Sequence, residues 1–281
     1  MSLPDFIVIG AMKCGTTTLQ SQLAAQAGVF MSTPKEPNYF SNDEIFAKGA
    51  DWYAGLFADA PAGALLGEAS THYTKLPTYP HTLERMTAAL PELKLVYMIR
   101  NPVQRAVSHY VHEWTERNVG ADAEAAFRSE TTFIDYGCYG MQIAPFVQAY
   151  GLENILLTSL EAVKADPDGE FARVAAHLGL PATAAWQHDV DAQNVSSARF
   201  RRLPFQGLIV DNPVARALRH ALVPKSVRRR IREGRQMTHR PEIPADLEAR
   251  MKARFLEDRD VLAQFFPDHP ALEACYPFAA Q

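Results

Sequence analysis

Gly10-Ala11-Met12-Lys13-Cys14-Gly15-Thr16-Thr17-Thr18 decides the fold. The apolar run Phe6-Ile7-Val8-Ile9 precedes it, and a helix-like stretch follows, at roughly 19–27. A β-branched strand, a loop bounded by glycines and a helix N-terminus together make an anion cradle. Glycine lets the backbone approach the ligand, and amide N–H groups point at it along the helix dipole. The nucleotide-hydrolase form of this cradle is G-x-x-x-x-G-K-[ST]. Gly10 and Gly15 keep that spacing, but Thr16 stands where the lysine belongs, and the lysine lies inside the loop at position 13. A lysine after the loop reaches β- and γ-phosphates beside magnesium. One inside the loop falls beside the 5′-phosphate of a shorter nucleotide.

The chain outward from this loop alternates strands with helices. Leu65-Leu66-Gly67-Glu68-Ala69-Ser70, Lys94-Leu95-Val96-Tyr97-Met98-Ile99 and Asn154-Ile155-Leu156-Leu157-Thr158 are apolar runs of strand length, as buried parallel strands read. Helices are expected over 51–57, 80–90, 139–150, 170–178 and 244–265, and from about Val103. Leu247, Met251, Phe255, Leu262 and Phe266 form the expected core face of the last one. Pro34 and Pro37 keep 31–40 extended or turning. This order predicts an α/β fold: a P-loop-like single domain, 1–281, with a central parallel sheet flanked by helices. Its nucleotide-binding and catalytic core spans 5–180, and a helical, basic C-terminal part spans 181–281. Ligands then bind beyond the carboxyl ends of the strands, where the loops at 10–18 and 100–108 lie.

Among 281 residues, 47% are apolar, enough for one large core. The net charge of −4 is unevenly spread, because eleven Lys/Arg face two acids between Arg199 and Arg235. Such a segment suits an anionic ligand, a peripheral membrane contact or plain solvation; no nucleic-acid partner is expected. Cys14, Cys138 and Cys275 are odd in number and form no C-x-x-C pair, which favours a reducing compartment. The first strand begins by Asp5, leaving no room for a cleavable signal peptide, and no apolar run approaches ~20 residues. A soluble, cytoplasmic protein is expected.

Arg100-Asn101-Pro102-Val103-Gln104-Arg105-Ala106-Val107-Ser108 is the second decisive stretch. An arginine at a strand end and a hydroxyl eight residues later can converge on one phosphate. With both stretches in hand, the chain resembles sulfotransferases that use 3′-phosphoadenosine 5′-phosphosulfate (PAPS). Lys13 to Leu19 resembles their 5′-phosphosulfate loop, and Arg100 to Ser108 their 3′-phosphate motif, R-x-P-x-x-R-x-x-S. Lys35-Glu36-Pro37-Asn38-Tyr39-Phe40 and Asp51-Trp52-Tyr53 are similar to the heparan-sulfate, carbohydrate branch. Glu68-Ala69-Ser70-Thr71-His72-Tyr73 resembles that branch's E-K-[ST]-x-x-Y segment, and the likeness covers about 5–180. It implies PAPS as co-substrate and 3′,5′-ADP (PAP) as product. It also implies that Lys13, Cys14, Gly15, Thr16, Thr17, Thr18, Arg100 and Ser108 bind the nucleotide. In one departure, Ala69 replaces the lysine of E-K-[ST], so Lys35, His72 or the basic C-terminal segment is expected to supply that charge, unless the acceptor does not need it.

Sulfuryl transfer resembles phosphoryl transfer, a loose in-line displacement with little covalent work for the protein. Lys13 and the amides of residues 15–18 would face the charge growing on the oxygen that bridges sulfur and phosphate; no metal is expected. The resemblance makes Glu36 the base for the acceptor hydroxyl, with His72 as rival because imidazole titrates near neutrality. The acceptor is expected to be a glycan, lipid or small molecule, sulfated on a hydroxyl rather than an amine. His109 and His112 are assigned to helix packing or acceptor contact, Trp52, Tyr53 and Phe57 to core, and Cys14 to a position needing a small side chain. Two other classes stay open. One is a kinase with a degenerate P-loop, which Thr16 and the strand-terminal Arg100 disfavour. The other is a non-catalytic nucleotide-binding protein that docks through its basic segment.

Overall fold

The computed structural model describes residues 2–190, 237 and 240–279. The basic stretch 199–235, with the membrane or anion contact expected of it, lies outside the described residues. In chain order the elements are β1 (Phe6–Gly10), α1 (Thr16–Ala24), β2 (Val29–Met31), α2 (Asp43–Phe46), α3 (Ala50–Gly55) and β3 (Leu65–Ala69). A 3-10 turn at Thr71–Thr74 leads to α4 (Thr82–Ala89), β4 (Lys94–Ile99), α5 (Pro102–Glu116), α6 (Ala123–Ser129), α7 (Thr132–Asp135) and α8 (Tyr139–Tyr150). Then come β5 (Ile155–Ser159), α9 (Leu160–Ala165), α10 (Pro167–Leu178), α11 (Ala245–Phe265) and α12 (Ala271–Ala274).

Five strands form one sheet in the order β2-β3-β1-β4-β5, every pair parallel. Phe6 to Gly10 are all buried, as a central strand covered on both faces demands. Val8 pairs with Ala69 on one side and Val96 on the other. The loops after β1, β3 and β4 therefore leave the same sheet edge, where an open parallel sheet binds ligands.

Helix α1 begins at Thr16, three residues before the expected start, because Gly15 already sits in the left-handed region (φ 98°) as its N-cap. Helix α5 starts where Arg-Asn-Pro predicts a boundary: Pro102 occupies the first turn and the Asn101 side chain accepts from Gln104 N–H at 3.0 Å. On α11, Leu247, Met251, Phe255 and Leu262 are buried as expected, but Phe266 follows the last helical residue and is only half-buried. An acid completes that face instead. Asp258 is 1% exposed and accepts from Gly140 and Met141 N–H at 2.7 and 2.8 Å, tying α11 to the N-terminus of α8.

Glu68 at the end of β3 is a second buried acid, and its surroundings decide where the following turn sits. Ser70 Oγ and Tyr73 OH donate to Oε1 at 2.6 and 2.7 Å, and Tyr53 OH of α3 donates to Oε2. Burial pushes the carboxyl up while the Ser70, Tyr53 and Tyr73 hydroxyls pull it back. Glu68→Ala leaves three buried hydroxyls without an acceptor, and should cost about 2–4 kcal/mol. Urea unfolding reads this directly; a loss below half a kcal/mol would show that the hydroxyls find other partners.

Candidate active site

The loop between β1 and α1 is pinned on both sides. Ala11 N–H donates to Met98 O of β4 at 2.6 Å, and Thr74 Oγ1 to Ile9 O at 2.9 Å. Position 10 must be glycine, since a Cβ there would lie 2.0 Å from Thr74 Oγ1. Lys13 takes a positive φ of 68° at the loop's crest. Thr16 and Thr17 open α1, where the first amides lack intrahelical acceptors and face outward along the dipole. Cys14 turns the other way. It is fully buried against Met12 O and the Tyr139 hydroxyl (3.5 Å), and burial pushes its thiol up to about 11. Its side chain therefore fills the floor beneath the cradle, in line with the small-residue expectation, and cannot serve as a thiolate nucleophile near neutral pH.

Arg100, at the end of β4, reaches across to this loop. Its Nη1 donates to Lys13 O at 3.3 Å and its Nη2 to Gln104 Oε1 at 2.9 Å, while Nε is buried without a partner among the described residues. Tyr139 of α8 locks the junction from below, donating to Arg100 O at 2.8 Å. Ser108 lies two turns along α5, half-buried. The fold thus brings the two decisive stretches, 87 residues apart, into direct contact. Arg105 of the same motif is instead wholly buried, donating to Phe133 O.

Glu36 is delivered by an irregular segment. Tyr39 and Phe40 on its C-terminal side are buried against Tyr53, with Tyr39 stacked on that ring at 4.4 Å. Glu36 N–H donates to Ala69 O at 3.0 Å and Asn38 N–H to Ser70 Oγ at 3.1 Å, so the segment hangs on the end of β3. Lys35 Nζ binds Glu36 Oε1 at 2.6 Å and Thr71 Oγ1 donates to Oε2 at 3.3 Å. Burial would raise the carboxyl, but Lys35, Lys75 and His72 outweigh it and hold Glu36 below the usual carboxylate value. Glu36 is thus an ionised carboxylate with its geometry fixed from two sides.

His72 stands in the same turn, stacked on Tyr79 at 4.7 Å, with Nδ1 buried and unpartnered among the described residues. Burial, reinforced by Lys75, pulls it down to about 4, so it is neutral at physiological pH. Beside it opens a cavity of about 420 Å³ whose walls include Met12, His72, Lys75, Tyr79, His109 and Glu113. His109 and His112 both line it, His109 between the rings of Phe133 and Tyr136. Tyr53 and Phe57 are core, as expected.

Lys75 and Tyr139 are the residues of this site that the sequence did not single out. Lys75 is 7% exposed, although a lysine two residues beyond Tyr73 in a loop carries no local sign of burial. Tyr139 reads as an ordinary aromatic at a helix start; only the packing of α8 beneath the cradle shows its task.

A parallel sheet whose first loop turns through a left-handed glycine into a helix N-terminus, braced by an arginine from a neighbouring strand, defines a P-loop-like α/β protein. Residues 3–258 match the sulfotransferase domain family, and the chain belongs to that family. It is 30% identical over 190 residues to heparan sulfate glucosamine 3-O-sulfotransferase 3B1 of Mus musculus, covering 63% of this chain and 46% of that protein. It is 35% identical over 132 residues to the membrane-associated sulfotransferase kil1 of Dictyostelium discoideum, covering 45% of this chain and 27% of the relative. The chain thus spans less than half the length of these curated relatives. Among solved structures, a sulfotransferase from Alicyclobacillus acidocaldarius superposes with a TM-score of 0.67 at 23% identity, over 97% of this chain and 100% of that one. That likeness confirms the α/β fold.

Proposed function

We propose that this chain moves the sulfuryl group of PAPS to an acceptor hydroxyl and releases PAP. The observation that carries the proposal is the contact between Arg100 and the Lys13 carbonyl. It puts a guanidinium fork and a cationic loop side by side at one sheet edge, which supports a nucleotide carrying phosphates on both the 3′ and 5′ positions of its ribose. The residues fit such a donor: an unpartnered buried Arg100 Nε, a helix N-terminus opened by a left-handed glycine, and Lys13 at the loop's crest. When bound, PAPS supplies an activated sulfuryl group on a single phosphoester.

The work left to the protein is positioning and charge. The loop amides and Lys13 face the bridging oxygen, whose charge grows as its bond to sulfur breaks. Glu36 accepts the hydroxyl proton as the acceptor oxygen bonds to sulfur; the departing nucleotide keeps the electron pair of the broken bond. A carboxylate held below its usual value is a weak base, which suffices in a loose transition state where the proton moves late. Thr71 and Lys35 keep Glu36 aimed. Ser108 is assigned to the 3′-phosphate beside Arg100, and Thr16, Thr17 and Thr18 to the 5′ end.

The cavity with its tyrosines, histidines and carboxylates supports a hydroxylated acceptor, a sugar among them, since stacked aromatic faces and hydrogen-bonding groups together suit a polyol. Three free, buried cysteines support the proposal of a reducing, cytoplasmic location. No helix among the described residues is long and apolar enough to cross a membrane.

Comparing PAP with 5′-AMP, which lacks the 3′-phosphate, tests the nucleotide assignment. Arg100→Ala should weaken PAP about 10- to 100-fold, as one charged hydrogen-bond donor set is worth ~1.5–3 kcal/mol. Binding of 5′-AMP should change less than about three-fold by the same arithmetic. Equal weakening of both nucleotides in titration calorimetry refutes the role given to Arg100.

A further inference from the structure

Lys75 is a buried cation at the cavity wall that nucleotide binding and base catalysis leave without a task. It follows the 3-10 turn Thr71–Thr74, is 7% exposed, and its Nζ lies 5.5 Å above the Tyr136 ring, at the wall of the cavity. Among the described residues no carboxylate comes within ion-pair distance of it, whereas Lys35 is already bonded to Glu36. A buried ammonium without a counter-ion is costly, and a cation–π contact offsets only part of that cost. Such a group is retained where a ligand's negative charge completes it.

Location says which charge that is. The same cavity wall contains Met12, next to Lys13 in the cradle, and His72, next to Glu36. An anionic group lying between cradle and base would share that cavity with Lys75, whose charge already senses both Lys13 and Glu36. We propose that Lys75 hydrogen-bonds the oxygens of the sulfuryl group from the acceptor side, opposite Lys13, and so supplies the charge that Ala69 cannot. The proposal rests on the PAPS-dependent function above, and it makes Lys75 a catalytic residue.

The groups facing Lys75 are Lys13 from the cradle, Glu36 from the 32–42 segment, His72 from its own turn, Arg105, His109 and Glu113 from α5, and Tyr136 beyond α7. Burial brings Lys75 down to about 8, with Arg105 and Lys13 pushing the same way and Glu36 and Glu113 opposing. A lowered lysine holds its charge below that value and loses it above. The two histidines are also drawn down by burial, to about 4, and carry no charge in this window.

The test uses inorganic sulfate as probe, titrated calorimetrically into the intact protein saturated with PAP. Wild type should bind sulfate at pH 7 and lose about ten-fold in affinity by pH 9, as an amine titrating near 8 loses its proton. Lys75→Met should bind sulfate at least about ten-fold more weakly at pH 7 while keeping PAP affinity, a loss of ~1.4 kcal/mol or more. Lys75→Arg should keep sulfate binding and abolish its alkaline loss. The proposal is overturned if the methionine variant binds sulfate like wild type, or if PAP-loaded wild type binds no sulfate. Should the methionine variant also lose PAP, the pH profile of the arginine variant decides, and an unchanged alkaline loss overturns the proposal. Failure of wild type to bind PAP at all is a different result, which brings down the PAPS-dependent function and Lys75's role with it.

Discussion

Lys13→Ala is expected to lower single-turnover sulfuryl transfer from PAPS by about 10²–10³, the cost of removing a preorganised charge aimed at developing negative charge. PAP affinity should fall less than about ten-fold, because the ground-state nucleotide keeps Arg100 and the loop amides. The split between rate and affinity is the point of the measurement. A lysine that merely bound phosphate would weaken nucleotide and turnover alike. Rates of mutant and wild type agreeing within a few-fold would show that the cradle lysine does not serve the transition state.

Glu36→Gln carries the second large effect, a loss of about 10²–10⁴ in transfer with PAP binding intact, as removal of a positioned proton acceptor entails. Glutamine keeps the shape and can still accept from Thr71, so lost activity would report proton transfer rather than a collapsed segment. The activity that remains below neutrality adds a check. Glu36 is held below the usual carboxylate range, so protonation should abolish activity only at more acidic pH than an ordinary glutamate would. A pH profile alone does not separate Glu36 from His72, since burial takes the imidazole to about 4. The substitution does, and activity surviving within about five-fold would move the base role to His72.

The cradle was legible in the sequence because every signal in it is local: a β-branched strand, two glycines at fixed spacing, and threonines opening a helix. Strands β3, β4 and β5 were legible for a related reason, as uninterrupted apolar runs bounded by loops suit parallel strands buried on both faces. That the loops at 10–18 and 100–108 share one sheet edge was anticipated from the parallel strand order, but the contact of Arg100 with the Lys13 carbonyl and the lock beneath it were not. Tyr139 reaches Arg100 O and Cys14 only because α8 packs under the sheet edge. Long-range packing hid Lys75 in the same way, since α5 and the Tyr136 ring bury it from a distance of dozens of residues.

Short elements were illegible for want of periodicity. Strand β2 has three residues and a half-buried edge position, and α2 and α7 have one turn each. On α11, a hydrophobic pattern predicts only apolar positions on the inner face, so it passed over Asp258 and extended the face to Phe266. A buried carboxylate there makes sense once Gly140 and Met141 present their amides to it.

A lysine inside the first loop, its carbonyl held by Arg100, marks a donor carrying its reactive group on a single phosphoester. Incubation of the protein with an extract of the cells that make it tests this most directly. PAPS labelled on sulfur and ATP labelled on its γ-phosphate, the latter with magnesium, are supplied in parallel reactions. Label passing from PAPS into an acceptor, blocked by PAP and absent with Lys13→Ala, is the predicted result. Label passing from ATP with magnesium, and none from PAPS, would contradict it.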